Sequence, residues 1–274
     1  MSWKFAVSTL GIPSAPIDEA IAVAVDGGCE GLELRVHADE VLHLDIRDDD
    51  AVDIGRRVRA SGLAVATLVG YVRVCSPDDD AEVLVELRRL IRLAELVGAE
   101  NIRVFPGGGT DPSAPRDAAE TEELRIAQRD RARRRISAVL DDLRAAGVRL
   151  LVETHDSHPT GAATVELVEG LADTSLVGIL WDGLHPWRSG EGPATTRAVL
   201  GDHCVGFQIK DAVARDGRWV PVAPGAGEMP VEELAEVLQG WSGWVSFEWE
   251  RAWHPQIEPL AEALPAAAEW VRRR

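Results

Sequence analysis

The chain has 274 residues, 46% hydrophobic and 27% charged, a length beyond the usual single-core domain but typical of one-domain α/β barrels, and residues 1–274 read as one domain. Forty-six acidic against 29 basic residues leave a formal charge of −17, which repels a phosphate backbone and argues against nucleic acid as a partner. Cys29, Cys75 and Cys204 are odd in number and widely spaced, there is no apolar run of ~18 residues and no signal-like start, so disulfides, a cysteine zinc cluster and a membrane span are not expected and a reducing, cytoplasmic setting is.

In chain order, short apolar or β-branched runs alternate with longer segments at helical spacing, the pattern of a parallel sheet with crossover helices. The predicted strands are Lys4 to Thr9, Gly31 to Arg35, Ala64 to Val69, Asn101 to Phe105, Arg149 to Thr154, Val177 to Asp182, Val205 to Lys210 and Trp244 to Glu248. Helical stretches fall at Asp18 to Val25, Ala51 to Ala60, Ala81 to Leu96, Glu122 to Ala146, Ala163 to Leu171, Thr195 to Leu200 and Val231 to Leu238, with a closing helix near Leu260 to Val271. Acidic residues after Ser76-Pro77 mark one helix start, and Gly98 and Gly147 mark two helix ends. Pro106 to Pro115, rich in glycine and proline, reads as the most flexible loop. Eight strands with eight helices at this length close most economically as a (β/α)8 barrel. The turn after the first strand has no GxGxxG, so a dinucleotide-binding open sheet is disfavoured.

In such a barrel the site lies at the carboxyl ends of the strands. Four successive strands end in a candidate ligand: Glu153 on the fifth, Asp182 on the sixth, Gln208 on the seventh and Glu248 on the eighth. One acidic strand end is often only a helix cap, but three carboxylates gathered in a pocket are unstable without a cation. Their joint pattern therefore predicts one divalent metal held by Glu153, Asp182, Gln208 and Glu248.

Together these residues resemble the xylose isomerase-like barrels, the sugar-phosphate isomerase/epimerase family that includes ketose 3-epimerases, inosose dehydratases and apurinic-site endonucleases. Glu153 resembles the family's strand-5 glutamate, Asp182-Gly-Leu-His185 its Asp-x-x-His, and Glu248 its strand-8 glutamate. The seventh strand departs from the family's His-x-Lys-Asp and reads Gln208-Ile-Lys210-Asp211. The resulting all-oxygen set favours Mg2+ or Mn2+ over zinc. The extra histidine ligands of the endonucleases are missing, which excludes that branch together with the negative charge.

The resemblance implies a metal-dependent sugar isomerase or epimerase acting on a small polyhydroxy compound. Glu153 and Glu248 would pass the α-proton as catalytic base and acid through a metal-stabilised enediolate. The alternatives are a dehydratase that begins with the same proton abstraction, and a non-catalytic barrel. His185 resembles a substrate-binding histidine. Inward parity adds His155 and Lys210, one of only two lysines in the chain, although Lys210 equally suits an ion pair with Asp211 or Glu250. Glu33 and Arg35 share one strand face and reach the pocket or pair across the wall, and Trp187 and Trp253 are the aromatic candidates for a sugar face. The glycine-bearing turn Ala223 to Glu228 offers backbone amides to an anion. Self-association as a homo-oligomer is left open.

Overall fold

The computed structural model describes residues 3–109, 122–171, 173 and 175–273. Its elements in chain order are β1 (Lys4–Ser8), α1 (Ile17–Asp26), β2 (Gly31–Arg35), α2 (Asp48–Ala60), β3 (Ala64–Arg73), α3 (Asp80–Val97) and β4 (Ala99–Phe105). There follow α4 (Glu122–Ser137), α5 (Leu140–Ala146), β5 (Arg149–Glu153), α6 (Gly161–Val168), β6 (Val177–Asp182), α7 (Leu184–Arg188) and α8 (Pro193–Leu200). The chain closes with β7 (Cys204–Ile209), β8 (Asp211–Arg215), β9 (Arg218–Val222), α9 (Val231–Val237), β10 (Trp244–Phe247) and α10 (Leu260–Arg272). Eight parallel strands join in the order β1-β10-β7-β6-β5-β4-β3-β2 into a closed barrel, the (β/α)8 architecture expected from the alternation. Among the described residues no helix is long and apolar enough to cross a membrane.

Strand faces divide the molecule into two apolar regions. Outward residues such as Leu32, Leu34, Leu68, Ile102 and Val152 pack against the helices in the main core. Inside the barrel, Ala6, Ala66 and Trp244 form a small separate cluster at the amino-terminal end of the strands. The carboxyl-terminal half of the interior is thereby left to polar side chains. Strand register sets their levels: Asp182 lies opposite Gln208, Gln208 opposite Ser246, and Glu153 opposite Leu180. With a side-chain period of two, Glu248 then projects on the same face as Ser246, one step nearer the mouth.

Two local features differ from the expected elements. The stretch Glu122 to Ala146 is two helices, α4 and α5, broken at 138–139, where Val139 leaves helical geometry at φ −119° and ψ 7° and is buried. Helix-favouring residues on both sides hide that break from a periodicity argument. The second is the hairpin β8–β9, whose turn is Asp216-Gly217 with φ of 50° and 73°. Asp-Gly with both residues at positive φ is the preferred two-residue hairpin turn. The Pro106 to Pro115 loop lies outside the described residues from 110 onward.

The end of β3 is held by Arg135 of α4, whose buried guanidinium donates to the carbonyls of Val74 (3.1 Å) and Ser76 (3.0 Å) and to Asp80 Oδ1 (2.8 Å). Removing it leaves buried carbonyls unsatisfied, so Arg135→Ala is expected to lower unfolding free energy by about 3 to 5 kcal/mol in urea titrations. Hydrogen bonds from Arg134 and Arg135 override the modest desolvation of Asp80 and hold its carboxyl down at about 2. A depressed carboxylate stabilises above its unfolded value near 3.8 and loses that contribution as pH falls toward about 2. The part of the Arg135→Ala deficit that comes from the lost Asp80 contact should therefore shrink over that acidic window, while the part from the unsatisfied carbonyls persists at every pH.

Candidate functional site

The carboxyl ends of the strands open on a cavity of about 690 Å³ whose lining includes Arg103, Glu153, His155, Lys210, Glu248 and Trp253. Beneath them, Glu33, Asp182, His185 and Gln208 are buried. The four expected ligands and His155, His185, Lys210 and Glu33 thus occupy one site.

Lys210 is the electrostatic centre of one half. Its Nζ lies 2.6 Å from Asp182 Oδ2 and 2.7 Å from Glu250 Oε1, and it also contacts Glu248 Oε2. Burial alone would push the ammonium's pKa down, but Asp182, Glu248 and Glu250 override it and hold the pKa well above the usual lysine value. The cation that the buried carboxylates require is therefore supplied in part by the chain itself. Of the two ion-pair partners the sequence offered for Lys210, Glu250 is the one it meets.

Gln208 spans the floor. Its amide nitrogen donates to Glu33 Oε1 (2.9 Å) and Glu248 Oε1 (3.1 Å). Burial, and then the charge of Glu248, raises the Glu33 carboxyl to about 7 against the opposing bond from Gln208. In the other half, Arg103 Nε lies 3.0 Å from Glu153 Oε2, and His185 Nε2 is 3.9 Å from Glu153 Oε1 and 3.5 Å from Asp182 Oδ2. Burial lifts Glu153 to about 7, opposed by Arg103 and His155. His185 is pulled well below the usual histidine value by burial and then by His155 and nearby cations, so it is neutral at neutral pH. Its ring meets His155 edge-on at 4.4 Å between centroids.

Several of these atoms suit a divalent ion. Glu153 Oε2, Asp182 Oδ2 and Gln208 Oε1 are buried with no hydrogen-bond partner, although the first two are ion-paired. Glu153, His155 and His185 each offer a ligand atom, all within 4.8 Å of one another. Orphaned buried acceptors beside the neutral His185 ring and the ring of His155 form a donor set that a divalent cation would satisfy. The two histidines add nitrogen donors to what reads in sequence as an all-oxygen set.

Other expected positions are placed differently. Trp253 lines the cavity, but Trp187 packs edge-on against Trp219 at 5.4 Å and is not among the lining residues. Arg35 and Glu33 do not pair with each other. Arg35 donates to Tyr71 Oη (2.8 Å), Asp39 Oδ1 (2.7 Å) and Glu40 Oε1 (2.7 Å) behind the cavity wall. The turn 223–228 does not offer its amides to an anion. Asp211 accepts from the amides of Gly225 (2.9 Å), Gly227 (2.9 Å) and Met229 (3.1 Å), and a Cβ at Gly227 would sit 2.1 Å from its Oδ1. A buried carboxylate has already taken the donors. Arg103, Tyr71, Arg73, Phe105 and His37 line the cavity without having been expected there. For Arg103 a signal existed: Asn101, Arg103 and Phe105 share one strand face.

The family description "xylose isomerase-like TIM barrel" matches residues 21–274. No curated protein sequence matches the chain. Among solved structures, the probable 3-DHS dehydratase AsbF, involved in petrobactin synthesis in Bacillus anthracis, is similar with a TM-score of 0.76 at 18% identity over 100% of both chains. The 3-keto-D-glucoside 4-epimerase YcjR from E. coli gives the same TM-score of 0.76 and 18% identity, again over 100% of each chain. The IOLI protein with a bound zinc atom gives 0.77 at 16% identity, over 98% of this chain and 97% of that one. At these identities the likeness is one of fold.

Proposed function

The chain belongs to the xylose isomerase-like TIM barrel family, and from that premise we propose that it is a divalent-metal-dependent isomerase or epimerase of a small polyhydroxy carbonyl compound. The observation that carries this reading is the pair of buried glutamates, Glu153 from β5 and Glu248 just past β10, which line one cavity from strands separated by β6 and β7. Two carboxyls on one cavity from separate strands suit removal of a proton from one face of a carbon and its return at another.

Glu153, Asp182, Gln208 and Glu248, with His155 and His185 in reach, would hold the ion, which supplies positive charge to the oxygens on which negative charge develops. Glu153 takes or returns the α-proton while Arg103 holds its other oxygen in place. Lys210 orients Glu248 and Asp182 through its ion pairs with both. Gln208 fixes Glu248 from below, and the ring of Trp253 covers the mouth.

A second reading, a lyase that removes water after the same proton abstraction, is favoured by one further feature. In that reading His155, beside Glu153 and left out of the metal's shell, serves as a separate proton donor, which loss of a hydroxyl requires and epimerisation does not.

Incubation with ketoses and keto-polyols in D2O tests the shared step. Deuterium should appear at the carbon next to the carbonyl, and the absence of exchange with every compound that is converted would overturn the proton-transfer reading. Growth of a conjugated-enone absorbance alongside exchange would select the lyase.

A further inference from the structure

We propose that Arg103, with Arg73 at the cavity mouth, is a subsite for a carboxylate carried by the substrate, so that the substrate class is a small polyhydroxy or keto acid rather than a neutral sugar. This rests on the cavity being the active site of the preceding reading, and it deepens that reading by naming the class of compound.

The cations around the cavity differ in how fully their charge is met by carboxylates. Lys210 is surrounded by Asp182, Glu248 and Glu250. Arg35 is taken by Asp39, Glu40 and Tyr71. Arg103 has a single carboxylate contact, through Nε to Glu153, and its Nη1 is buried with no hydrogen-bond partner. Arg73 is exposed, lines the cavity and has no side-chain ion pair or hydrogen bond among the described residues. Those two are where positive charge remains unspent.

Arg103 is also held still. It is 3% exposed, and its guanidinium carbon lies 3.9 Å from the Phe105 ring centroid and 5.6 Å from that of Tyr71. A buried guanidinium nitrogen without an acceptor is costly, and because Arg103 belongs to the cavity lining a ligand seated there can bring the acceptor the fold does not supply. A planar fork pre-set on an aromatic face matches a carboxylate's two oxygens.

Phosphate is the poorer match, because a phosphate site usually adds backbone amides to its cations. Among the described residues, the amides of Gly107 and Gly108 on this side are occupied. Gly107 N donates to Asp156 Oδ1 (2.9 Å) and Gly108 N to Ser157 Oγ (2.8 Å), while Asp211 takes those of the 225–229 turn. Asp156, whose charge would oppose an anion, is engaged by Gly107 and by Ser157, which donates through its hydroxyl at 2.9 Å.

Calorimetric titration with D-gluconate, D-glucitol and D-glucitol 6-phosphate provides the test, since the first two differ only in the carboxylate. The parent protein should bind gluconate ~10-fold or more tighter than glucitol, the range of one charge-assisted fork. Arg103→Gln should abolish that preference, and Arg73→Gln, an exposed change that leaves Tm unchanged, should reduce it several-fold with glucitol affinity altered less than about twofold. Equal binding of gluconate and glucitol, no binding of gluconate, or variants that weaken both ligands alike would overturn the proposal. Preference for the phosphate ester over gluconate would overturn it in favour of a phosphate site. Binding requires no turnover, so Arg103-dependent gluconate binding without deuterium exchange would retire the proton-transfer reading alone, and exchange on neutral sugars without the acid preference would retire this subsite alone.

Discussion

Glu153→Gln and Glu248→Gln are each expected to slow deuterium exchange at the α-carbon by ~10² or more while the protein stays folded. Glutamine keeps the volume and one oxygen but cannot take a proton, so the loss should fall on kcat with little change in KM. The two positions differ in what else they lose. At Glu248 the one remaining oxygen can still accept from Gln208 or from Lys210, but the new amide N–H faces the other donor, so one of these two contacts is lost. At Glu153 the substitution removes the charge facing Arg103, and the guanidinium loses its one carboxylate partner among the described residues. Thermal melts separate a proton-transfer role from a structural one. A variant that exchanges at the parent rate, or one whose activity falls only in step with its melting temperature, would show that the proton chemistry lies elsewhere.

The barrel is legible in the chain because alternation of short buried strands with longer helical segments is a local pattern, and so is the placing of acids at strand ends. Glu153, Asp182 and Glu248 can be found by looking for carboxylates inside apolar runs. What couples them is not local. Gln208 reaches Glu33, 175 residues earlier in the chain, because barrel closure brings β2 and β7 onto one floor. Arg103 was legible in principle at inward parity on β4, but a search for metal ligands looks for acceptors and passes over a cation. Asp211 and the 223–228 turn show the opposite failure. Glycine-bearing amides look free in sequence, and only the fold reveals that a carboxylate 14 to 18 residues earlier has taken them. Trp187 is excluded by packing, since Trp219 from the β9 strand covers its ring. The hairpin itself had a local signal in Asp216-Gly217, which sits between β-forming residues in the register of a two-residue turn.

Lys210→Met should destabilise the metal-free protein by about 3 to 5 kcal/mol, because it leaves Asp182, Glu248 and Glu250 together without the ammonium they share. Methionine keeps the length and apolar stem, so the lost term is the charge. In the parent the lysine's pKa is raised above its usual 10.5, and a raised basic group stabilises fully below the unfolded value and loses that contribution only as pH climbs through the folded one. Parent and variant should accordingly differ in full at neutral pH. In the variant the three carboxyls repel one another and bind protons more readily folded than unfolded, so its deficit should shrink as pH falls toward 5. A divalent ion offers the same relief by another route. Adding Mn2+ or Mg2+ in calorimetric melts should raise the variant's Tm more than the parent's and tighten metal binding ~10-fold or more, since a positive charge adjoining the ion has been removed. Equal Tm gains in the two proteins would mean that the ion and the ammonium do not share these carboxylates, and would move the metal to Glu153, His155 and His185 alone.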